Sequence, residues 1–110
     1  MKIEYKTHKL KKSFSDSRAI AKSYGTRAKN VKKRLEELIA APHLMDISML
    51  PQANLHELKT PRKGEFAVDI SANYRITFVP ANDPIPLKED GGLDLQRITE
   101  IKINSVEDYH

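Results

Sequence analysis

The stretch Glu65-Phe66-Ala67-Val68-Asp69-Ile70-Ser71-Ala72-Asn73-Tyr74-Arg75-Ile76-Thr77-Phe78-Val79 decides the fold class of this chain. Phe66, Val68 and Ile70 alternate with Glu65, Ala67, Asp69 and Ser71, and Tyr74, Ile76 and Phe78 alternate with Arg75, Thr77 and Val79. A period of two is strand patterning, and two such runs this close predict a hairpin. Its register follows from the rule that cross-strand partners share a face. A two-residue turn at Ala72-Asn73 pairs Ile70 with Arg75 and mixes the faces. A three-residue loop, Ser71-Ala72-Asn73, pairs Ile70 with Tyr74, Val68 with Ile76 and Phe66 with Phe78. The longer loop is therefore expected, with Asn73 supplying the left-handed residue such loops use. It sets Asp69 opposite Arg75 on the face away from the core.

Upstream of the hairpin the period changes to that of a helix. Leu10, Phe14 and Ile20-Ala21 predict a first helix over 10–24, stopped by Gly25. Thr26 is the expected cap of a second helix over 27–41, ended by Pro42. Val31, Leu35, Leu38 and Ile39 form its apolar stripe, with Lys29, Lys32, Lys33, Glu36 and Glu37 on the other side. The short link implies a helical hairpin. Residues 42–54 read as a loop with a turn of helix near 47–50. Pro80, Pro84, Pro86 and Gly91-Gly92 mark 80–94 as an exposed loop. A last strand is expected at 97–104, irregular near Thr99-Glu100. The sum is one α+β domain, an N-terminal helical hairpin packed on a small, mainly antiparallel sheet.

The 110 residues suffice for one core without staples, and the absence of cysteine excludes disulfides, thiolate metal sites and cysteine nucleophiles. With no apolar segment at the start and no run long enough to span a bilayer, the expectation is a cytoplasmic chain with no membrane association. Charge is uneven. Residues 1–41 carry 12 Lys/Arg against 4 Asp/Glu, and residues 42–110 carry 7 against 11. A basic half on a small domain suits a polyanionic partner, with Lys9, Lys11, Lys12, Lys29, Lys32, Lys33, Arg62 and Lys63 as the RNA-facing set. The plainer alternative is that these lysines solvate two surface helices.

No phosphate-binding glycine loop or Gly-x-Ser-x-Gly is present, and His8, His43, His56 and His110 have no metal-ligand spacing. No metal or small-molecule cofactor is therefore expected. RNA can be cut without one. A base takes the ribose 2′-hydroxyl proton, the oxygen attacks the adjacent phosphate, cations stabilise the added charge and an acid protonates the leaving 5′-oxygen. That chemistry needs His, Lys, Arg and Tyr gathered on a basic surface. His56 and Lys59 precede the hairpin, Arg75 lies on its outer face, and Asp108, Tyr109 and His110 end the last strand. As the final residue, His110 needs that strand to pin it.

Leu55-His56-Glu57-Leu58-Lys59, then Arg62-Lys63-Gly64-Glu65-Phe66-Ala67-Val68, then Ser71-Ala72-Asn73-Tyr74-Arg75-Ile76-Thr77-Phe78 and the final Asp108-Tyr109-His110 occur in an order that resembles the HigB toxins of bacterial toxin–antitoxin pairs, a branch of the RelE superfamily. Thr7-His8-Lys9-Leu10-Lys11 is also similar, so the resemblance spans nearly the whole chain. It implies a RelE-like fold and a ribosome-dependent mRNA endonuclease that inhibits translation and is neutralised by a helix-turn-helix antitoxin. Carried over by position, it implies a site of His56, Lys59, Arg75, Asp108, Tyr109 and His110. Arg75 and Lys59 would meet the scissile phosphate, His56 and His110 would act as base and acid, Asp108 would orient a histidine, and Tyr109 would position a base. Two departures stand out. Val68-Asp69-Ile70 replaces a further basic residue on the first hairpin strand, so a pair between Asp69 and Arg75 would either orient the guanidinium or draw its charge away. The 80–94 loop is also longer than in the shortest members. Two other classes remain: a non-catalytic RNA- or ribosome-binding module on the same fold, and an interaction protein whose basic helices dock an acidic partner.

Overall fold

The computed structural model describes residues 1–109. Strands β1 (Lys2–Tyr5), β2 (His56–Glu57), β3 (Phe66–Asp69), β4 (Tyr74–Pro80) and β5 (Glu100–Asp108) form one sheet in the order β1-β5-β4-β3-β2. β1 runs parallel to β5 and every other pair is antiparallel. The hairpin register is the expected one: Phe66 opposes Phe78, Val68 opposes Ile76, and Asp69 opposes Arg75. The turn closes with Ile70 and Ser71 N–H groups both donating to the Tyr74 carbonyl. Asn73 is not in the left-handed region; among the described non-glycine residues only Asn54 is, at φ 47°.

The predicted first helix is two: α1 (His8–Ser13) and α2 (Ser17–Tyr24). The break is local chemistry. The Ser15 hydroxyl donates back to the Lys12 carbonyl, and the Asp16 carboxylate accepts from Ala19 N–H at 2.8 Å, so these side chains compete with the helical ladder and restart it. Gly25, at φ 53°, stops α2 as expected. Thr26 caps nothing. A 3-10 turn over Gly25–Arg27 leads directly into α3 (Ala28–Ala40), and its tighter bonds satisfy the donors a cap would have served. The buried stripe of α3 is Val31, Arg34, Leu35 and Leu38, while Ile39, expected within it, is 53% exposed. The segment read mainly as a loop holds α4 (Leu44–Ser48). The helices cover one face of the sheet, and Phe14, Ile20, Val31, Leu35, Leu38, Leu44 and Ile47 share a single core with Phe66, Val68, Ile70, Ile76, Phe78, Ile101 and Ile103. Among the described residues no helix is long and apolar enough to cross a membrane.

β5 begins three residues later than expected and runs further, and its irregularity lies elsewhere. Thr77 pairs with Ser105 but Phe78 pairs with Ile103, so Asn104 is an extra residue. This bulge resets the phase of the strand. In strict alternation from Ile101 and Ile103, residues 105, 107 and 109 would point into the core. After Asn104 the inward residue is Val106, opposite Ile76, and Ser105, Glu107 and Tyr109 go to the outer face. The 80–94 loop is exposed and ordered by its own small hairpin, with a bridge between Leu87 and Leu93 and a bond from Lys88 N–H to the Gly92 carbonyl.

Candidate active site

The outer face of the sheet carries two rows of cross-strand neighbours: Ala67, Thr77 and Ser105, then Asp69, Arg75 and Glu107. It is not bare. Ala67 and Thr77 are fully buried there because residues 58–65 fold across it, turned by Arg62 N–H to the Lys59 carbonyl and Glu65 N–H to the Arg62 carbonyl.

Glu107 is the centre of the site, and sequence reading did not single it out. Its Oε1 accepts from Arg62 Nη2 at 2.8 Å and from the Ser105 hydroxyl at 2.7 Å; its Oε2 accepts from Arg62 Nη1 at 2.9 Å and Arg75 Nη2 at 3.1 Å. The Arg62 fork, followed by the Ser105 and Arg75 bonds, holds the Glu107 carboxyl down to about 2 against the penalty of partial burial. Burial alone would raise the Glu65 carboxyl, but bonds from Arg62, Thr77 and Asn104 outweigh it and keep it below its ordinary value. Arg62 Nε donates to Glu65 Oε1 at 2.7 Å, and its two carboxylate partners lock its guanidinium in the charged form.

Arg75 does not pair with Asp69, although the register sets them opposite. Its charge goes to Glu107, and its guanidinium carbon lies 4.5 Å from the centre of the Tyr109 ring, a cation–π contact. Arg75 Nε is buried with no partner among the described residues. Asp69 instead accepts from the Tyr109 hydroxyl at 3.2 Å and from Asn54 Nδ2 at 3.0 Å. Partial burial, then the Asp69 charge, pushes the Tyr109 hydroxyl up. Behind this layer Arg34, 7% exposed, donates from Nε to the Asp69 carbonyl at 2.7 Å, from Nη2 to the Gln52 carbonyl at 2.9 Å and from Nη1 to Glu37 at 3.0 Å.

His56 joins the same face through its pairing with Ala67. Its Nδ1 lies 2.8 Å from the Asn54 carbonyl. A carbonyl only accepts, so Nδ1 carries the proton and Nε2 of the neutral ring has a lone pair to offer. Two strand spacings and one two-residue step separate the Cα atoms of His56 and Arg75, roughly 12 Å. The contacts that link the two run through Asn54, Asp69 and the Tyr109 ring. Lys59 and Lys63 are exposed, in the 58–65 segment. Asp108 opposes Tyr74, and strand alternation assigns it to the other side of the sheet from Glu107. His110 lies outside the described residues.

The lysines expected to face RNA divide between surfaces. Lys9 and Lys12, with Lys22, line a groove of about 840 Å³ between the α1–α2 pair and β5, where Leu10, Ala19 and Val106 also contribute. β1 pairs only as far as Ile103, so this groove reaches Asn104 and Ser105, and Ser105 holds Glu107. Lys29, Lys32 and Lys33 line a separate depression on α3 with Glu36 and Glu37. Lys11 is exposed on α1. Among the described residues no cluster of three or more His, Asp or Glu side chains is set to hold a metal ion.

No family model matches the chain, and no curated protein matches it. Its fold is shared with solved toxins. A YoeB/ParE toxin from Agrobacterium tumefaciens superposes with a TM-score of 0.52 at 12% identity over 100% of both chains. A chain of the YoeB–YefM complex from Staphylococcus aureus superposes with a TM-score of 0.53 at 14% identity, over 100% of this chain and 97% of that one. The fold is thus the α+β arrangement of YoeB/ParE toxins, as the RelE-like expectation required.

Proposed function

We propose that this chain is the toxin of a toxin–antitoxin pair, a cytoplasmic endoribonuclease that cuts mRNA on the ribosome without a metal. The observation that carries the reading is the cluster on the outer face of the sheet. Arg75 lies under the Tyr109 ring, Arg62 stands beside it, and His56 is tied to the same layer through Asn54. A lysine-lined groove reaches Ser105, which bonds Glu107 in the cluster, on a fold shared with toxins.

In this reading His56 Nε2 takes the 2′-hydroxyl proton and the 2′-oxygen attacks phosphorus. The bond to the 5′-oxygen breaks, leaving a 2′,3′-cyclic phosphate and a 5′-hydroxyl once an acid has supplied the proton; His110 is assigned that part from the sequence. Arg75 and Lys59 stabilise the charge added at phosphorus, with Arg62 beside them. Tyr109 presents a ring against which a nucleobase can stack. The role of Asp108 in orienting a histidine, like that of His110, is carried from the sequence resemblance. The antitoxin is proposed to be a small helix-turn-helix protein; one solved neighbour of the fold is itself a complex, YoeB–YefM.

The second reading, a non-catalytic RNA- or ribosome-binding module, draws on one observation. Both arginines of the cluster already bond a carboxylate. The two readings part when the chain is expressed in bacteria. The nuclease stops growth and fragments mRNA, and both effects disappear with Arg75→Ala or on removal of Tyr109-His110. Intact mRNA under wild-type expression removes the nuclease reading.

A further inference from the structure

Four donors from three separate segments converge on the two oxygens of Glu107: two from Arg62 in the 58–65 turn, one from Arg75 on β4 and one from Ser105 on β5. Paired guanidinium groups with a hydroxyl are the donor set that binds the non-bridging oxygens of a phosphate. A carboxylate offers only two oxygens, and the set has a donor to spare, since Arg75 Nε is buried without a partner among the described residues. A tetrahedral oxyanion has a further oxygen to offer it. The lysine-lined groove between α1–α2 and β5 extends to Ser105, one of these donors. Glu107 is there only because the Asn104 bulge turns it outward.

We infer that Arg62, Arg75 and Ser105 form a binding site for one phosphodiester group of RNA, and that Glu107 is its intramolecular occupant, closing the site in the isolated chain. The inference rests on the nuclease reading for the identity of the natural anion, and on the geometry alone for the existence of the site. An incoming phosphate must displace the carboxylate before it meets both arginines. The free chain is therefore held weak toward anions.

The experiment titrates inorganic phosphate, and separately a short single-stranded RNA, into the wild-type chain, Glu107→Gln and the double variant Glu107→Gln/Arg62→Ala. Binding is followed by calorimetry and by the Arg Nε–Hε signals in NMR. Glu107→Gln is expected to bind both probes at least about tenfold more tightly than wild type, because the one competing negative charge shared by both arginines is removed. The double variant is expected to lose that gain. Equal affinity in wild type and a folded Glu107→Gln overturns the inference. A gain for phosphate but not for RNA overturns the phosphodiester assignment. If Glu107→Gln does not fold, the wild type decides: saturating phosphate must shift the Glu107 side-chain carboxyl carbon and the Arg75 Nε–Hε signal, and unchanged signals overturn the proposal. Tighter binding by Glu107→Gln with no RNA cut by any form supports the site while removing the nuclease reading.

Discussion

Arg34→Met tests how the site is held from behind. Arg34 sits on the buried stripe of α3, 7% exposed, and makes bonds to the Asp69 carbonyl, the Gln52 carbonyl and Glu37. Methionine keeps most of the apolar stem and deletes the guanidinium. Two carbonyls of the sheet edge and the 50–54 segment then lose a charged donor, and Glu37 loses its partner. At about 1.5 kcal/mol for each of the two charge-assisted bonds to carbonyls, with the partly exposed Glu37 end adding little, the loss is roughly 3 kcal/mol. The entropy of unfolding expected for a domain of this length converts that to a fall in Tm of about 13 °C. Arg34→Lys should recover little, because one ammonium cannot reach three acceptors in the directions the planar fork supplies. Thermal unfolding followed by circular dichroism is the assay. A Tm for Arg34→Met within about 3 °C of wild type, a shift of under 1 kcal/mol, refutes the claim that this guanidinium anchors Asp69.

Replacing Lys9, Lys12 and Lys22 with glutamine together should weaken RNA binding and flatten its dependence on log salt by about 2, near 0.7 per phosphate contact for a single strand; an unchanged slope removes the groove from the RNA path. The Glu107 carboxyl, held at about 2 against an ordinary value near 4.5, contributes stability that is complete above pH 4.5 and lost as pH falls toward 2. Wild type should therefore lose about 2 kcal/mol more than Glu107→Gln across that window, after allowance for the exposed side of Arg62, as measured by denaturant unfolding at stepped pH. Tyr109→Phe keeps the ring over Arg75 and loses only the bond to Asp69, so RNA cleavage should stay within about threefold of wild type, a loss under 1 kcal/mol, whereas Tyr109→Ala should lose tenfold or more. Equal losses in the two variants would show that the ring contact is not what matters.

The hairpin was legible because both of its strands alternate without interruption, and only one loop length keeps their faces together. The α3 stripe was legible for a similar reason, except at Arg34. An arginine among lysines reads as part of a solvated face until the fold brings backbone carbonyls to it. β1, four residues of alternating charge and apolar character, has no local signal strong enough to stand alone; its parallel pairing with β5 is formed across almost the whole chain. Motif order groups Arg75, His56 and Tyr109, and the structure places all three on one face of the sheet. Glu107 was not. Its main partner, Arg62, is 45 residues away, and its outward direction depends on a bulge at Asn104 that no propensity marks. Register sets Asp69 opposite Arg75, as observed, and leaves open whether the two pair; opposition across strands fixes only proximity. The Glu107 carboxylate wins because it faces Arg62 as well and so completes a two-arginine clamp.

The most direct test of the central claim is the chemistry of RNA ends formed in a bacterial translation extract given the purified chain. The account predicts mRNA fragments bearing 2′,3′-cyclic phosphate and 5′-hydroxyl termini, formed with chelator present and absent with Arg75→Ala. Intact mRNA, or fragments that Arg75→Ala yields in equal amount, would contradict it.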